Sequence, residues 1–263
     1  MVGSVTELSY WLPILVAAPF VGSFLGVLIQ RLPEGRPVCV ARSVCEHCGV
    51  VLGVRELVPL ASYLWQRGKC RHCNTAIAPF HLAIELAAIS VPLWAILAEP
   101  DPDRLWMDCM LGWTLLTLGW IDWRWMLLPD VLTLPLLLAG LLLTWWWQPE
   151  SIGSHAAGAA VGYLALRGVA WCYRVLRGRE GIGAGDAKLL GAAGAWLGVA
   201  ALPMVILLAA LFGLATAGMV VLSGRRLSAT TALPFGPCLA AATWLVWLYS
   251  DRLINIGALP WSG

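Results

Sequence analysis

The stretch Gly181-Ile-Gly-Ala-Gly-Asp186-Ala-Lys188 sets a carboxylate and a lysine in a glycine-rich turn directly ahead of a strongly apolar segment. Taking an ionisable group out of water at a membrane costs on the order of several kcal/mol, so such a group marks function by default. A second aspartate, Asp122 in Gly119-Trp-Ile-Asp122-Trp-Arg124, closes another apolar run. Two carboxylates brought together in a poorly solvated place share one proton, because like charges side by side cannot both form. The ionised member can then activate a water while the protonated member polarises a peptide carbonyl. Gly181, Gly183 and Gly185 would let the backbone approach a substrate closely. Taken singly, each aspartate has a plainer use: Asp122 as a helix-end charge reaching interfacial water, Asp186 as the N-cap of the next helix.

The second constellation is made of thiols. Cys45-Glu-His-Cys48 and Cys70-Arg-His-Cys73 are C-x-x-C pairs separated by twenty-one residues. Each offers two thiolates from one turn, and together they can close a tetrahedral zinc site with sulfur at about 2.3 Å. Two disulfides are the competing reading, and a reducing compartment disfavours them. Four thiolates leave no position for a substrate, so the metal is expected to be structural, stapling an insert too small for a core of its own. His47 and His72 lie inside the knuckles and are read as solvated rather than ligating. Cys39, Cys109, Cys172 and Cys238 have no partner at metal spacing and read as small packing residues.

The elements that must hold these groups are membrane helices. Of 263 residues, 60% are apolar and only 12% charged, with sixteen tryptophans, which exceeds what a soluble domain of this size needs. A helix crossing the hydrocarbon core needs roughly 20 apolar residues. Candidate spans run near Trp11 to Ile29, Phe80 to Ala98, Leu105 to Ile121, Leu128 to Trp147, Gly153 to Leu176, Ala187 to Ala200, Leu202 to Leu222 and Leu233 to Tyr249. The expected fold is therefore an all-α polytopic membrane protein of about eight transmembrane helices with a small zinc-binding cytoplasmic insert. Its parts are a first helix (1–30), a tetracysteine insert (31–78) and a seven-helix membrane core (79–263). The first apolar run has no basic segment before it and no small-residue cleavage site after it, so a cleavable signal peptide is not expected.

Lysines and arginines orient the whole. With the insert in the cytoplasm that side holds 14 of them against two, Arg104 and Arg252, on the other, and Arg167 lies within the fifth span. Both chain ends then face away from the cytoplasm, and Asp122 and Asp186 share one side and one depth. Asp130, after Pro129 at a helix start, reads as capping. Glu85, a turn inside the second span, is expected to meet a cation from another helix or from substrate. Asp108 precedes Asp122 by fourteen residues, about 21 Å along a helix, and belongs to the far interface.

In order along the chain stand Gly22-Ser-Phe-Leu25, Arg31-Leu-Pro33, the two knuckles, Pro59-Leu-Ala-Ser-Tyr-Leu64 and Arg67-Gly-Lys-Cys70. Ile121-Asp122, Leu128-Pro-Asp130, Gly183-Ala-Gly-Asp186-Ala-Lys188-Leu-Leu190 and Pro234-Phe-Gly-Pro237 follow. This series resembles the type IV prepilin peptidases over nearly the whole chain. The resemblance implies an intramembrane aspartyl protease of the G-x-G-D kind, with Asp122 and Asp186 as its catalytic pair. It implies cleavage of the short basic leader from prepilins and from pilin-like type II secretion subunits, after a glycine, at the cytoplasmic face of the bacterial inner membrane. It also implies N-methylation of the new terminus with S-adenosylmethionine, contact with membrane lipid and no nucleic-acid partner.

Some positions depart from the family pattern. Gly26 and Leu57 stand where asparagines are expected, Glu46 replaces a proline, and His81-Leu82 replaces a Tyr-Pro pair. None touches the aspartates. The same spans and paired carboxylates could also build a proton-coupled transporter with a regulatory zinc insert, but no inverted repeat or pair of broken helices is visible in matching halves.

Overall fold

A computed structural model describes residues 5–38, 40, 42–98, 101–178, 183–224 and 233–257. Gly181, Cys39, Arg179, Arg225 and Arg226 lie outside the described residues. Eight long helices follow the eight expected apolar segments: α1 (Val5–Arg31), α3 (Pro79–Ala98), α4 (Pro102–Trp125), α5 (Asp130–Trp147), α6 (Ile152–Arg177), α7 (Ala184–Leu197), α8 (Leu202–Leu222) and α9 (Gly236–Gly257). A five-residue helix, α2 (Ala61–Trp65), lies in the polar insert, and no strand forms among the described residues. Four segments are long and apolar enough to cross a membrane: Tyr10–Arg31, Pro79–Ala98, Asp130–Trp147 and Val199–Leu222. This is the all-α architecture of a polytopic membrane protein. The chain divides into two compact units, Met1–Thr117 and Leu118–Gly263, with the division inside α4.

In the first unit α1 lies along α3. Their closest approach is at Gly22, where a Cβ would come within 2.7 Å of the Glu85 Cα and 2.8 Å of the Ala88 Cβ. The end of α1 anchors the insert. The Arg31 guanidinium donates to the carbonyls of Pro37, Val38 and Arg42 at 3.2 to 3.3 Å, and Gln30 Nε2 donates to Glu46 Oε1 at 3.2 Å. Between residues 32 and 78, Pro59 and Cys70 are the only described residues that are buried. An insert so poor in core needs another source of cohesion.

In the second unit α7 is the central helix, packed by α5, α6, α8 and α9. At fourteen residues it is about 21 Å long, short for a span facing lipid. It does not have to face lipid: Asp186, Ala187 and Leu189 through Trp196 are all buried. Small residues permit this. A Cβ on Gly162 would lie 2.6 Å from the Leu190 carbonyl oxygen, and one on Gly194 would lie 2.2 Å from that of Gly158, so α6 and α7 meet backbone to backbone. By contrast α8 presents leucines to the outside, as a lipid-facing helix should.

The packing predicts a contrast along one helix. Gly162→Ala should lower the thermal midpoint in detergent, because overpacking of this kind costs about 1–3 kcal/mol. Gly168→Ala, where a Cβ would meet nothing within 4 Å, should be neutral or slightly stabilising through helix propensity. Equal midpoints for the two would contradict the close approach.

Candidate active site and metal centre

Asp122 sits in the last turn of α4, and Asp186 is the third residue of α7. They are 6% and 8% exposed, and the charge of Asp122 acts on Asp186, so the fold brings the two carboxylates into electrostatic reach of each other. Each is held by a backbone N–H. Gly236, the first residue of α9, donates to Asp122 Oδ2 at 2.9 Å, and Gly183 donates to the Asp186 carboxylate. Gly183 rather than Asp186 is the N-cap of α7, so the expected capping role shifts: Asp186 reaches back from the first turn, where the N-terminal end of the helix dipole favours a negative charge.

Glycines line both carboxylates. A Cβ on Gly236 would come within 2.6 Å of Asp122 Oδ2, and one on Gly183 within 3.3 Å of Asp186 Oδ2. Gly185 serves a different neighbour, since its Cβ would lie 2.7 Å from that of Leu128, in the link between α4 and α5. That link leaves α4 through Met126, a non-glycine residue with φ of +52°, and enters α5 with Pro129 as N-cap. Asp130 is therefore the first helical residue rather than a cap. Its carboxylate receives the Lys188 ammonium, an ion pair joining the starts of α5 and α7.

Sequence reasoning passed over Gly236. The signal available to it was the proline-flanked Pro234-Phe-Gly-Pro237, and Gly119, also in the motif around Asp122, packs on the same stretch, with a Cβ that would be 3.6 Å from the Pro237 Cα.

Glu85 was expected to meet a cation. Its carboxylate instead accepts the Leu60 N–H at 2.7 Å and a bond from the Ser23 hydroxyl, both neutral donors. Leu60 has φ of +59° and caps α2, so Glu85 fixes a strained entry into that short helix. Asp108 is 2% exposed, with the Arg104 guanidinium 3.8 Å away, one turn earlier on α4.

The four cysteines of the paired knuckles converge. One ligand atom from each of Cys45, Cys48, Cys70 and Cys73 lies within 4.8 Å of all the others, and Cys45 Sγ and Cys73 Sγ are 3.9 Å apart. A tetrahedron with sulfur at about 2.3 Å from its centre has edges of roughly 3.8 Å, so the set could hold a metal ion. The two knuckles are built alike. Gly49 and Asn74 each donate an N–H to the carbonyl of the first cysteine in their pair, at 3.0 and 2.9 Å, and each has a left-handed φ, +70° and +58°. Glycine and asparagine are the residues that adopt this conformation most readily.

The thiols are not equivalent. Hydrogen bonds from the Thr75 side chain and backbone pull Cys73 down to about 6. Cys48 receives the Val50 N–H, yet desolvation and the neighbouring thiols push it up to about 11. Of the other cysteines, Cys109 and Cys238 are buried and Cys172 is exposed.

Comparison with known proteins shows the family of the chain. The model of the type IV leader peptidase family matches residues 109–218, and that of the bacterial peptidase A24 N-terminal domain matches residues 16–98. The chain is 41% identical over 252 residues to a prepilin leader peptidase/N-methyltransferase of Burkholderia pseudomallei, covering 86% of this chain and 81% of that one. It is 39% identical over 279 residues to the protein of that name from Aeromonas hydrophila, covering 94% and 95%. For the one from Pseudomonas aeruginosa the identity is 35% over 269 residues, covering 94% and 92%. No solved structure matches. One matched region spans Asp122 and Asp186 and the other spans the four cysteines, and with relatives this similar along nearly their whole length the chain belongs to the type IV leader peptidase family.

Proposed function

We propose that this protein cuts the leader from type IV prepilins or pilin-like secretion subunits, with Asp122 and Asp186 as its catalytic pair. The observation that carries the reading is the burial of both carboxylates within electrostatic reach, each with a backbone N–H on it. In the reaction one carboxyl is protonated and hydrogen-bonds the scissile carbonyl oxygen, while the other takes a proton from the attacking water. The water oxygen bonds to the carbonyl carbon to give a tetrahedral diol. A proton then passes to the leaving nitrogen, the C–N bond breaks, and a carboxylic acid and an amine remain. The N–H groups of Gly236 and Gly183 hold the carboxylates in place throughout and cost no reorganisation. Cleavage of a pilin-like peptide by the purified protein, set against proton-driven uptake into liposomes, tests this reading; uptake without cleavage would replace it by the transporter.

The insert is read as cytoplasmic, in a multi-pass protein of the bacterial inner membrane, because short loops on that side would carry most of the basic residues. Its tetrad is read as a structural zinc site. Cys45, Cys48, Cys70 and Cys73 would be the ligands, and the metal would supply cohesion that two buried residues cannot. Elemental analysis should find one zinc per chain. Cys45→Ser or Cys73→Ser should lower metal content and make the insert protease-sensitive, and an impermeant thiol reagent applied to intact cells should leave the tetrad unlabelled. Because the ligands bind as thiolates, zinc should be lost as pH falls and protons compete for sulfur. A metal-free insert that stays protease-resistant would overturn the assignment.

N-methylation of the cleaved terminus is the second activity we assign. S-adenosylmethionine, when bound, supplies a methyl on a cationic sulfur that a neutral amine displaces in line, leaving a thioether. Gly26 bears on how the family asparagines were lost. A Cβ there would be 3.3 Å from Ile84 Cγ2, so this chain uses the position to bring α1 against α3. Leu57, by contrast, is 41% exposed at the end of a single helical turn. Mass spectrometry of a mature pilin made with this enzyme alone should show the added methyl, and a bare terminus would leave a peptidase only.

A further inference from the structure

The polar insert carries two large apolar side chains that its own fold leaves bare. At the end of α2, Leu64 is 70% exposed and Trp65 89%. Tyr63 beside them is half-buried and turns onto Gly68, where a Cβ would meet its ring at 3.1 Å. Bare side chains of this size, adjacent rather than scattered, mark a contact surface.

What covers them follows from where α2 is held. Both of its ends are fixed to the start of α3, a helix long and apolar enough to cross a membrane. At one end the Leu60 N–H donates to Glu85 at 2.7 Å. Glu85 is six residues beyond Pro79, about 9 Å along α3, and its side chain leans back toward the start of that helix. At the other end the chain leaves α2 through Arg67 and Gly68, both left-handed at φ of +51° and +68°. The Ile77 N–H, two residues ahead of Pro79, then donates to the Gly68 carbonyl at 2.8 Å. Held at both points, α2 stays level with the first turns of α3, and its five residues span only about 8 Å in any direction. The headgroup layer on each side of the hydrocarbon core is itself roughly 5–8 Å deep.

The chemistry fits that layer. Tryptophan collects there because its ring is apolar and its N–H is a donor. Arg67 and Lys69 follow, both exposed, and no ion pair joins either to a described residue. Two side chains are too small a face for a stable protein partner, which needs about 800 Å² on each side. We propose that α2 is a foot that seats the insert on the bilayer, with Leu64 and Trp65 in the headgroup layer and Arg67 and Lys69 on the phosphates of anionic phospholipids. The inference rests on α3 crossing a bilayer and on neither enzymatic reading.

Photocrosslinking of the full-length zinc-loaded protein in phospholipid nanodiscs tests it. With p-benzoylphenylalanine in place of Trp65, irradiation should give phospholipid adducts at residue 65. The yield should be comparable to that of the same label in place of Leu142, an exposed residue within the span of α5. In discs containing phosphatidylglycerol, Arg67→Gln combined with Lys69→Gln should lower the yield at residue 65 about 5-fold or more, and in discs of phosphatidylcholine alone it should change the yield little. Zinc content and thermal midpoint show that the variants are folded. Lipid adducts at residue 142 with none at residue 65 would overturn the foot, as would adducts of residue 65 confined to a second copy of the chain or to a pilin peptide. An unchanged yield for the double variant in both lipids would overturn the part given to Arg67 and Lys69. Absence of lipid adducts at both positions would overturn the membrane-spanning reading with it, and none of these outcomes bears on the aspartate pair.

Discussion

Asp122→Asn and Asp186→Asn will each abolish leader cleavage, lowering the rate by ~10³-fold or more, because proton transfer to and from the reacting atoms is lost from both partners at once. The substitution is conservative in every other respect. An amide oxygen can still accept the Gly236 N–H at position 122, and at position 186 it can still accept the Gly183 N–H from the first turn of α7. Expression, zinc content and thermal midpoint should therefore match the parent, which separates chemistry from folding. The parent should show a bell-shaped dependence on pH, with apparent values that belong to the pair rather than to either residue. Cleavage by either variant at near the parental rate would sink the dyad. Partial activity confined to one variant would mean that the two carboxylates do not work as a unit, since a shared proton gives neither member a separable role.

The parts of this architecture visible in the sequence are those written at short range. Hydropathy over about 20 residues locates helices, and it placed α3 and α8 to within a residue because each is apolar enough to need lipid or a core around it, while α1 begins at Val5, earlier than its apolar run. The C-x-x-C spacing locates a metal cluster because both thiols of a pair come from one turn. The aspartates could be singled out because a carboxylate beside an apolar run has few structural excuses. Their electrostatic contact joins residues sixty-four positions apart and had to be seen.

What stayed hidden depends on partners distant in sequence or on space rather than composition. Glu85 lies in an apolar segment with no local donor, so a cation was the natural expectation; its partner is the N–H of Leu60, a backbone group that no residue type announces. Asp130 looks like a cap until Lys188, fifty-eight residues on, takes its carboxylate. The burial of α7 is likewise invisible to hydropathy, which sees an apolar stretch too short to cross a bilayer and cannot see that α5, α6, α8 and α9 replace the lipid. Within the knuckles, Gly49 and Asn74 do carry a local signal. The residue after each second cysteine is one that tolerates a left-handed φ, and reading the two pairs side by side would have found it.

Gly236 is where this hidden layer bears on catalysis, and Gly236→Ala should reduce cleavage by about 100-fold or more, the scale on which a misplacement of about 1 Å acts. The added methyl would sit 2.6 Å from Asp122 Oδ2, 2.8 Å from its Cγ and 3.0 Å from its Cβ. No rotation of the carboxylate alone relieves three such contacts. Either Asp122 turns away and loses the N–H at 2.9 Å, or the start of α9 retreats from α4; both displace the carboxylate that we propose meets substrate. Because the backbone at Gly236 is not in the left-handed region, alanine adds no conformational strain, and the effect isolates the clash. Steady-state kinetics on a pilin-like peptide should show the loss mainly in kcat, with KM little moved, since the clash falls on the carboxylate assigned to the chemical step. Gly183→Ala is the internal comparison. Its methyl would approach Asp186 Oδ2 at 3.3 Å, a distance that a few tenths of an ångström of movement relieves, so its loss should be about 10-fold at most, well short of the misplacement scale. Parental rates for Gly236→Ala, or a larger loss at Gly183 than at Gly236, would mean that the N–H at the head of α9 does not position Asp122.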